Sequence, residues 1–279
     1  MGLVVNAALS VAKLLAGLLG HSFALVADAV ESLVDIVGSF VIWGGLRYGA
    51  RAPDEDHPFG HGKAEALAAL AVSILVIGAG VAIAVQAVRH VATPHAPPAP
   101  FTLIVLLVVV ALKEGLYRFA RRSAAAAGSS AGYADAWHHR SDAITSAFAF
   151  VGIGVALLGG PSWAPADDWA ALAASAVILS NGWRLTREPL AELMDRNAAD
   201  IAARAAEVTG RQPGVLGVER REARKVGRSY RVILHVEVDP AMSVAQSHAL
   251  TGRIKHAVRS DQRSVSYVLI HVEPHRGPG

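Results

Sequence analysis

The sequence predicts an α-helical polytopic membrane domain of six transmembrane helices over residues 1–190, followed by a small α+β domain over residues 191–279. Three observations lead there. Charge is unevenly spread: 25 of the first 190 residues are Lys, Arg, Asp or Glu, against 24 of the last 89. The first part holds six apolar runs, each near the roughly 20 residues a helix needs to cross the hydrocarbon core. Strand-like alternation begins only after the last of them.

The six runs cover 2–20, 22–47, 64–91, 100–120, 131–159 and 168–188. A secretory signal is the alternative for the first. It lacks a basic leading region and carries Lys13 within its apolar stretch, so it reads as a retained helix with little or no N-terminal extension. Basic residues set the orientation. The connection around 47–63 holds Arg47, Arg51 and Lys63, the one around 113–130 holds Lys113, Arg118, Arg121 and Arg122, and Arg184, Arg187 and a basic tail come with the end of the last span. The alternate connections are poor in them, which puts both termini in the cytoplasm. In the tail, 199–209 reads as a helix, 215–226 and 229–239 as strands around Gly227, 243–259 as an amphipathic helix and 264–273 as a third strand. The order α-β-β-α-β fits helices on one face of a sheet. A domain this small is expected to depend on self-association.

Ionisable residues inside spans cost about 2.5–3.5 kcal/mol each on the insertion scale and mark ion paths. The second span carries Asp28, Glu31 and Asp35; the fifth carries Asp135, His138 and Asp142. Both triples run i, i+3, i+7 along one helical face, and each is followed four residues later by a serine, Ser39 or Ser146. The two spans hold equivalent places in halves of three spans, so the halves are inverted repeats of the kind that place a binding site near the midplane. Glu31, Asp35, His138 and Asp142 form an (i, i+4) pair on each helix and could surround one tetrahedral divalent ion, zinc by default. All four groups also take protons, so metal and proton compete. Helix-cap or interhelical pairing is the structural alternative, and it explains one acid more readily than two matching faces.

A second cluster follows the second span: Asp54, Glu55, Asp56, His57, Pro58, Phe59, Gly60, His61, Gly62 and Lys63. His-x3-His after an acid is a metal-ligand spacing, with a solvated polar loop as the alternative. In the tail, His271 and Glu273 share one strand face, His235 lies on the neighbouring strand and His248 on the helix, with scattered surface histidine as the alternative. The chain has no Cys, which removes disulfides, thiolate ligands, iron–sulfur clusters and Cys nucleophiles. The net charge of +3 and pI near 9.4 suit basic cytoplasmic loops; nucleic acid is not expected, because the basic residues are not interleaved with aromatics.

These strings resemble the cation diffusion facilitator family across essentially the whole chain. Ala27 to Asp35 carries the resemblance in the second span, His57 to Glu65 in the loop, His138 to Asp142 in the fifth span and Leu234 to Asp239 in the tail. The resemblance implies a homodimeric six-span exporter in the lipid bilayer, with a metallochaperone-like (ferredoxin-like) cytoplasmic domain. Such a protein moves Zn2+ or a related divalent ion out of the cytoplasm in exchange for H+, and is no enzyme. The implied location is the bacterial inner (cytoplasmic) membrane. By position, Glu31, Asp35, His138 and Asp142 correspond to the transport site. Asp54, His57 and His61 correspond to a loop site, and His235, His248, His271 and Glu273 to a cytoplasmic dimer-interface site where zinc acts as regulator. Lys63 corresponds to a position that pairs with an acid, here Asp195, as a charge interlock. Asp28 and Asp135 are further path-facing candidates.

Two positions depart from the family pattern. Glu31 stands where zinc members usually carry Asp or His, which opens the choice among zinc, manganese, iron, cobalt and cadmium; His138 still favours zinc over an all-oxygen site. Glu219 stands near a position often held by His, where it either replaces that ligand or leaves a weaker site. A membrane metalloenzyme would need a general base beside an open metal position, and the His-Glu-x-x-His signature is missing. A water-filled channel would tolerate the buried acids but would show no proton coupling. A metal sensor built on the tail alone would leave the acids of the second and fifth spans unexplained.

Overall fold

A computed structural model describes residues 2–93, 97–127 and 130–275, with side chains except at 2–5, 120, 123–124, 126–127, 130–139, 141 and 161. Six long helices come first: α1 (Gly2–Leu19), α2 (Phe23–Gly49), α3 (Lys63–Val91), α4 (Phe101–Ala127), α5 (Ser130–Leu158) and α6 (Ala166–Leu193). Each covers one of the apolar runs to within one residue at either end. α4 and α6 continue past the ends of their runs, because a helix can extend a polar turn or two beyond the apolar stretch.

Among the described residues, α3 alone is long, apolar and uncharged enough to cross a membrane on length and composition. The apolar stretch of α2 is interrupted by Asp28, Glu31 and Asp35, and the described side chains of α1 and α5 include the apolar stretches Asn6–Leu19 and Asp142–Leu158. Lys113 corrects the count of loop cations. It lies inside α4 and is buried, whereas Arg118, Arg121 and Arg122 are exposed on the last turns of the same helix.

The chain packs as two compact units. Residues 1–42 and 71–186 form the first, and residues 43–70 and 187–279 the second. In the first, Leu25, Leu106 and Ile153 are fully buried among small residues such as Ala24, Ala27, Ala87 and Ala171. Small side chains let helices approach closely where lipid supplies no hydrophobic drive between them. Gly152 shows the constraint: a Cβ there would sit 2.2 Å from that of Ala170. The start of α2 is capped from another helix. Asp167, in the first turn of α6, accepts from Ser22 Oγ at 2.8 Å and from the Phe23 amide at 2.6 Å, satisfying donors that a helix start leaves open.

The second unit contains α7 (Ala199–Gly210), β1 (Gly217–Val226), β2 (Ser229–Val238), α8 (Val244–Asp261) and β3 (Val265–Pro274). The sheet order is β1-β2-β3. β1 and β2 are antiparallel around Gly227, whose φ of +59° suits a residue without a Cβ. β2 and β3 are parallel, which requires the crossover that α8 supplies. Alternation along β2 turns Val232, Leu234, Val236 and Val238 toward Ala202, Ala205, Leu250, Ile254 and Val258 of the two helices. Arg231, Ile233, His235 and Glu237 therefore occupy the other face. A capping box of Ser243 and Gln246 starts α8. Arg204 joins the helices by pairing with Asp261 at 2.6 Å and holds that carboxyl below the usual range.

Leu234→Ala removes the centre of this core and is expected to cost about 2–5 kcal/mol. Hydrogen exchange of the β2 amides in the full chain should accelerate accordingly, and unchanged protection would contradict the assigned core.

Candidate functional site

Helical spacing brings three acids to one cavity. Glu31 and Asp35, one turn apart on α2, face Asp142 of α5 across a space of about 320 Å3, which Val76 of α3 and Asn181 and Arg184 of α6 also line. Glu31 and Asp35 are half-buried and Asp142 is buried. His138 lies one turn before Asp142 in α5; its side chain, like that of Asp135, lies outside the described residues. Three carboxylates in a low-dielectric cavity repel one another and are poorly solvated, so the arrangement attracts cations.

Two lysines answer part of that demand. Lys113 Nζ of α4 lies 2.5 Å from Asp142 Oδ2, with both residues buried. Lys13 Nζ of α1 lies 3.0 Å from Asp28 Oδ2, and also donates to the Asp28 carbonyl at 3.0 Å and to Ser32 Oγ at 2.6 Å. Asp28 further accepts from Ser146 Oγ, at 2.9 Å to each oxygen. Asp28 is thus the acceptor of a network joining α1, α2 and α5, and it is not among the residues that line the cavity. Sequence reasoning passed over both lysines as partners. The signal was present: each interrupts an apolar stretch, where an ammonium ion is as costly as a carboxylate.

The loop after α2 forms a separate cluster in the second unit. Asp54, His57 and His61 present ligand atoms within 4.8 Å of one another. Asp54 accepts from the His57 amide at 2.7 Å, and its two oxygens lie 3.2 Å from His57 Nδ1 and 3.3 Å from His61 Nε2. The amide bond is the main reason its carboxyl is held below the ordinary range. Gly60, at φ +78°, turns the chain so that His61 returns to Asp54. His61 is buried, with Tyr48 edge-on at 4.9 Å and with Nδ1 lacking a hydrogen-bond partner among the described residues. Lys63 Nζ, at the start of α3, lies 3.2 Å from Asp195 Oδ1, and Arg224 lies 2.8 Å from the other oxygen. Burial raises the Asp195 carboxyl, but hydrogen bonds from these two cations outweigh it and hold the group below its usual range.

The open face of the sheet carries a third cluster. The parallel register sets His235 beside His271 and Glu237 beside Glu273. The two imidazole rings lie 4.8 Å apart, tilted by 52°, and His235 Nδ1 is 3.8 Å from Glu273 Oε1. Glu219 sits in the β1 irregularity between Val218 and Arg220. The neighbouring Glu219, together with burial, raises the Glu273 carboxyl, so Glu219 lies beside the cluster. His248 does not join it in one chain: it is exposed on α8, which packs against the opposite face of the sheet. His275 was missed, and its Nδ1 lies 2.8 Å from Glu237 Oε2 on the same strand pair.

A helix bundle with acids converging on an interior cavity, joined to an α+β domain with its own His and carboxylate cluster, defines a membrane protein that handles metal cations. The family model described as cation efflux transmembrane domain matches residues 1–194, and that described as cation efflux protein, cytoplasmic domain, matches residues 198–275. The chain belongs to the cation efflux family, the cation diffusion facilitators. It has a helical transmembrane domain and a C-terminal domain with a small sheet. Metal tolerance protein C1 of Arabidopsis thaliana is 34% identical over 98% of this chain, which spans 61% of that relative's length. The manganese efflux system protein MneP of Bacillus subtilis is 28% identical over 99% of this chain and 94% of its own length. The cation-efflux pump FieF of Pectobacterium atrosepticum is 32% identical over 91% of this chain and 84% of its own.

Asp28→Asn strands the Lys13 charge and is expected to destabilise the protein by about 3–5 kcal/mol. The double variant Lys13→Met/Asp28→Leu, which removes both charges, should recover most of that loss in thermal unfolding in detergent. A double variant as unstable as the single one would contradict the pairing.

Proposed function

We propose that this chain is a carrier, not an enzyme, that exports a divalent transition-metal ion from the cytoplasm in exchange for protons. The observation that carries this reading is the convergence of Glu31, Asp35 and Asp142 on one cavity of the helix bundle. His138, one turn from Asp142, completes a set of one imidazole and three carboxylates. Residues 1–190 form the transport domain, with all six long helices crossing the bilayer. Residues 191–279 form the cytoplasmic domain. Arg47 and Arg51, then Arg118, Arg121 and Arg122, and finally Arg184 and Arg187 keep a cytoplasmic bias at alternate connections after Lys113 is removed from the count. Both termini then face the cytoplasm, in a bacterial inner membrane.

Metal enters from the cytoplasm and displaces protons from the four groups. The helices rock outward, and protons arriving from outside release the ion. Zinc is the first candidate, because an imidazole with oxygen ligands suits it. Manganese is the second reading: three of the four ligands are carboxylates, and a relative named for manganese efflux aligns over 99% of the chain. The loop ligands Asp54, His57 and His61 form a second metal site. His235, His271, Glu273 and Glu219 form a regulatory one in a homodimer, which His248 completes only if a partner chain contributes it. Lys63 and Asp195 act as a charge interlock beside the loop.

The test is metal flux into proteoliposomes with zinc and with manganese. Asp142→Ala should reduce flux of both ions to background while the protein remains folded. Flux equal to that of the wild type would remove Asp142, and the cavity with it, from the path.

A further inference from the structure

The carboxylate that lines the cavity from α5 already holds a cation. Lys113 Nζ lies 2.5 Å from Asp142 Oδ2, and both side chains are almost fully buried. The other buried lysine provides a contrast. Lys13 binds Asp28, whose oxygens are also filled by Ser146 and which stays out of the cavity lining. That network ties helices together. Asp142, by contrast, lines the same space as Glu31 and Asp35. A divalent ion placed among these three acids must share the Asp142 carboxylate with the Lys113 ammonium or take it from it.

We propose that Lys113 is a tethered counter-ion of the transport site, a positioning residue that holds Asp142 when metal is absent and competes with metal for it. Two consequences follow from charge alone. With metal absent, Lys113 neutralises one of the three converging carboxylates, which lowers their repulsion and lets the emptied carrier return without a bound divalent ion. With metal present, a fixed positive charge held against one of the ligand carboxylates weakens binding and speeds release. Lys113 thus sets the site toward turnover rather than tight retention. The proposal rests on the transport-site reading of Asp142.

The test is zinc and manganese flux into proteoliposomes, with KM and maximal flux measured separately at one fixed pH. Lys113→Met removes the charge. It is expected to lower KM about 10-fold, equivalent to about 1.4 kcal/mol of tighter binding, and to reduce maximal flux several-fold. Lys113→Gln, which keeps a hydrogen-bond donor to Asp142, should shift both quantities in the same directions and serves if the methionine variant fails to fold. Lys113→Arg keeps the charge and should hold KM near the wild-type value. A purely structural lysine would lower maximal flux without lowering KM, so an unchanged or raised KM in folded neutral variants overturns the proposal. So does a KM that falls equally in Lys113→Arg. Asp142→Ala in the same vesicles separates the two levels. If it transports normally, the cavity reading falls. If it is inactive while the neutral Lys113 variants keep the wild-type KM, only the counter-ion falls.

Discussion

Carboxylates buried in an apolar helix bundle require positive charge close by, and the helical domain is organised around that requirement. Water and mobile salt are scarce there, so each acid is stabilised by a cation the protein supplies, by hydrogen bonds, or by a cation from outside. Asp28 takes the first two routes, with Lys13, Ser32 and Ser146 forming one network across α1, α2 and α5. Asp167 takes the second, by capping the start of α2. Glu31, Asp35 and Asp142 differ in that they open on a shared cavity, which Arg184 also lines, while Lys113 pairs with Asp142. In the proposed function, a metal ion that comes and goes adds to these fixed charges. The same unfavourable electrostatics that make these acids costly in a membrane make them useful to a carrier.

The C-terminal domain follows a simpler rule. Alternation along β2 and β3 separates an apolar face, covered by α7 and α8, from a face of His and Glu side chains. The core can be built without involving the cluster, and the cluster can hold metal without disturbing the core. The parallel pairing of β2 with β3 matters because it sets His235 directly beside His271 and brings Glu273 within reach of both. The bulge in β1 then admits Glu219 as a fourth group.

Much of this was legible in the residues, and the limits have physical causes. Helix and strand positions could be read because apolar runs and period-two alternation reflect burial directly: Gly227 marked its turn, and α7, α8 and β3 begin and end within two residues of the expected bounds. The grouping of Asp54, His57 and His61 was readable from spacing, because a short loop keeps near neighbours near. Partners distant in sequence were harder. Lys13 and Asp28, or Lys113 and Asp142, are brought together by packing between helices, which periodicity does not encode. Lys113 in particular looked like a loop cation because it stands near the end of an apolar run. His248 was assigned with His235 by resemblance to a site at a dimer interface; within one chain the helix and the histidine face lie on opposite sides of the sheet, so the two could meet only across subunits.

The central claim is that the cavity acids exchange a divalent metal ion for protons. It is tested most directly by zinc uptake into proteoliposomes containing the wild-type chain, with and without an imposed pH gradient and with internal pH recorded in the same vesicles. The account predicts uptake that rises with the gradient, collapses when an ionophore dissipates it, and is accompanied by proton movement in the opposite direction. Zinc uptake at the same rate with the gradient present, absent or reversed, and with no change in internal pH, would contradict it.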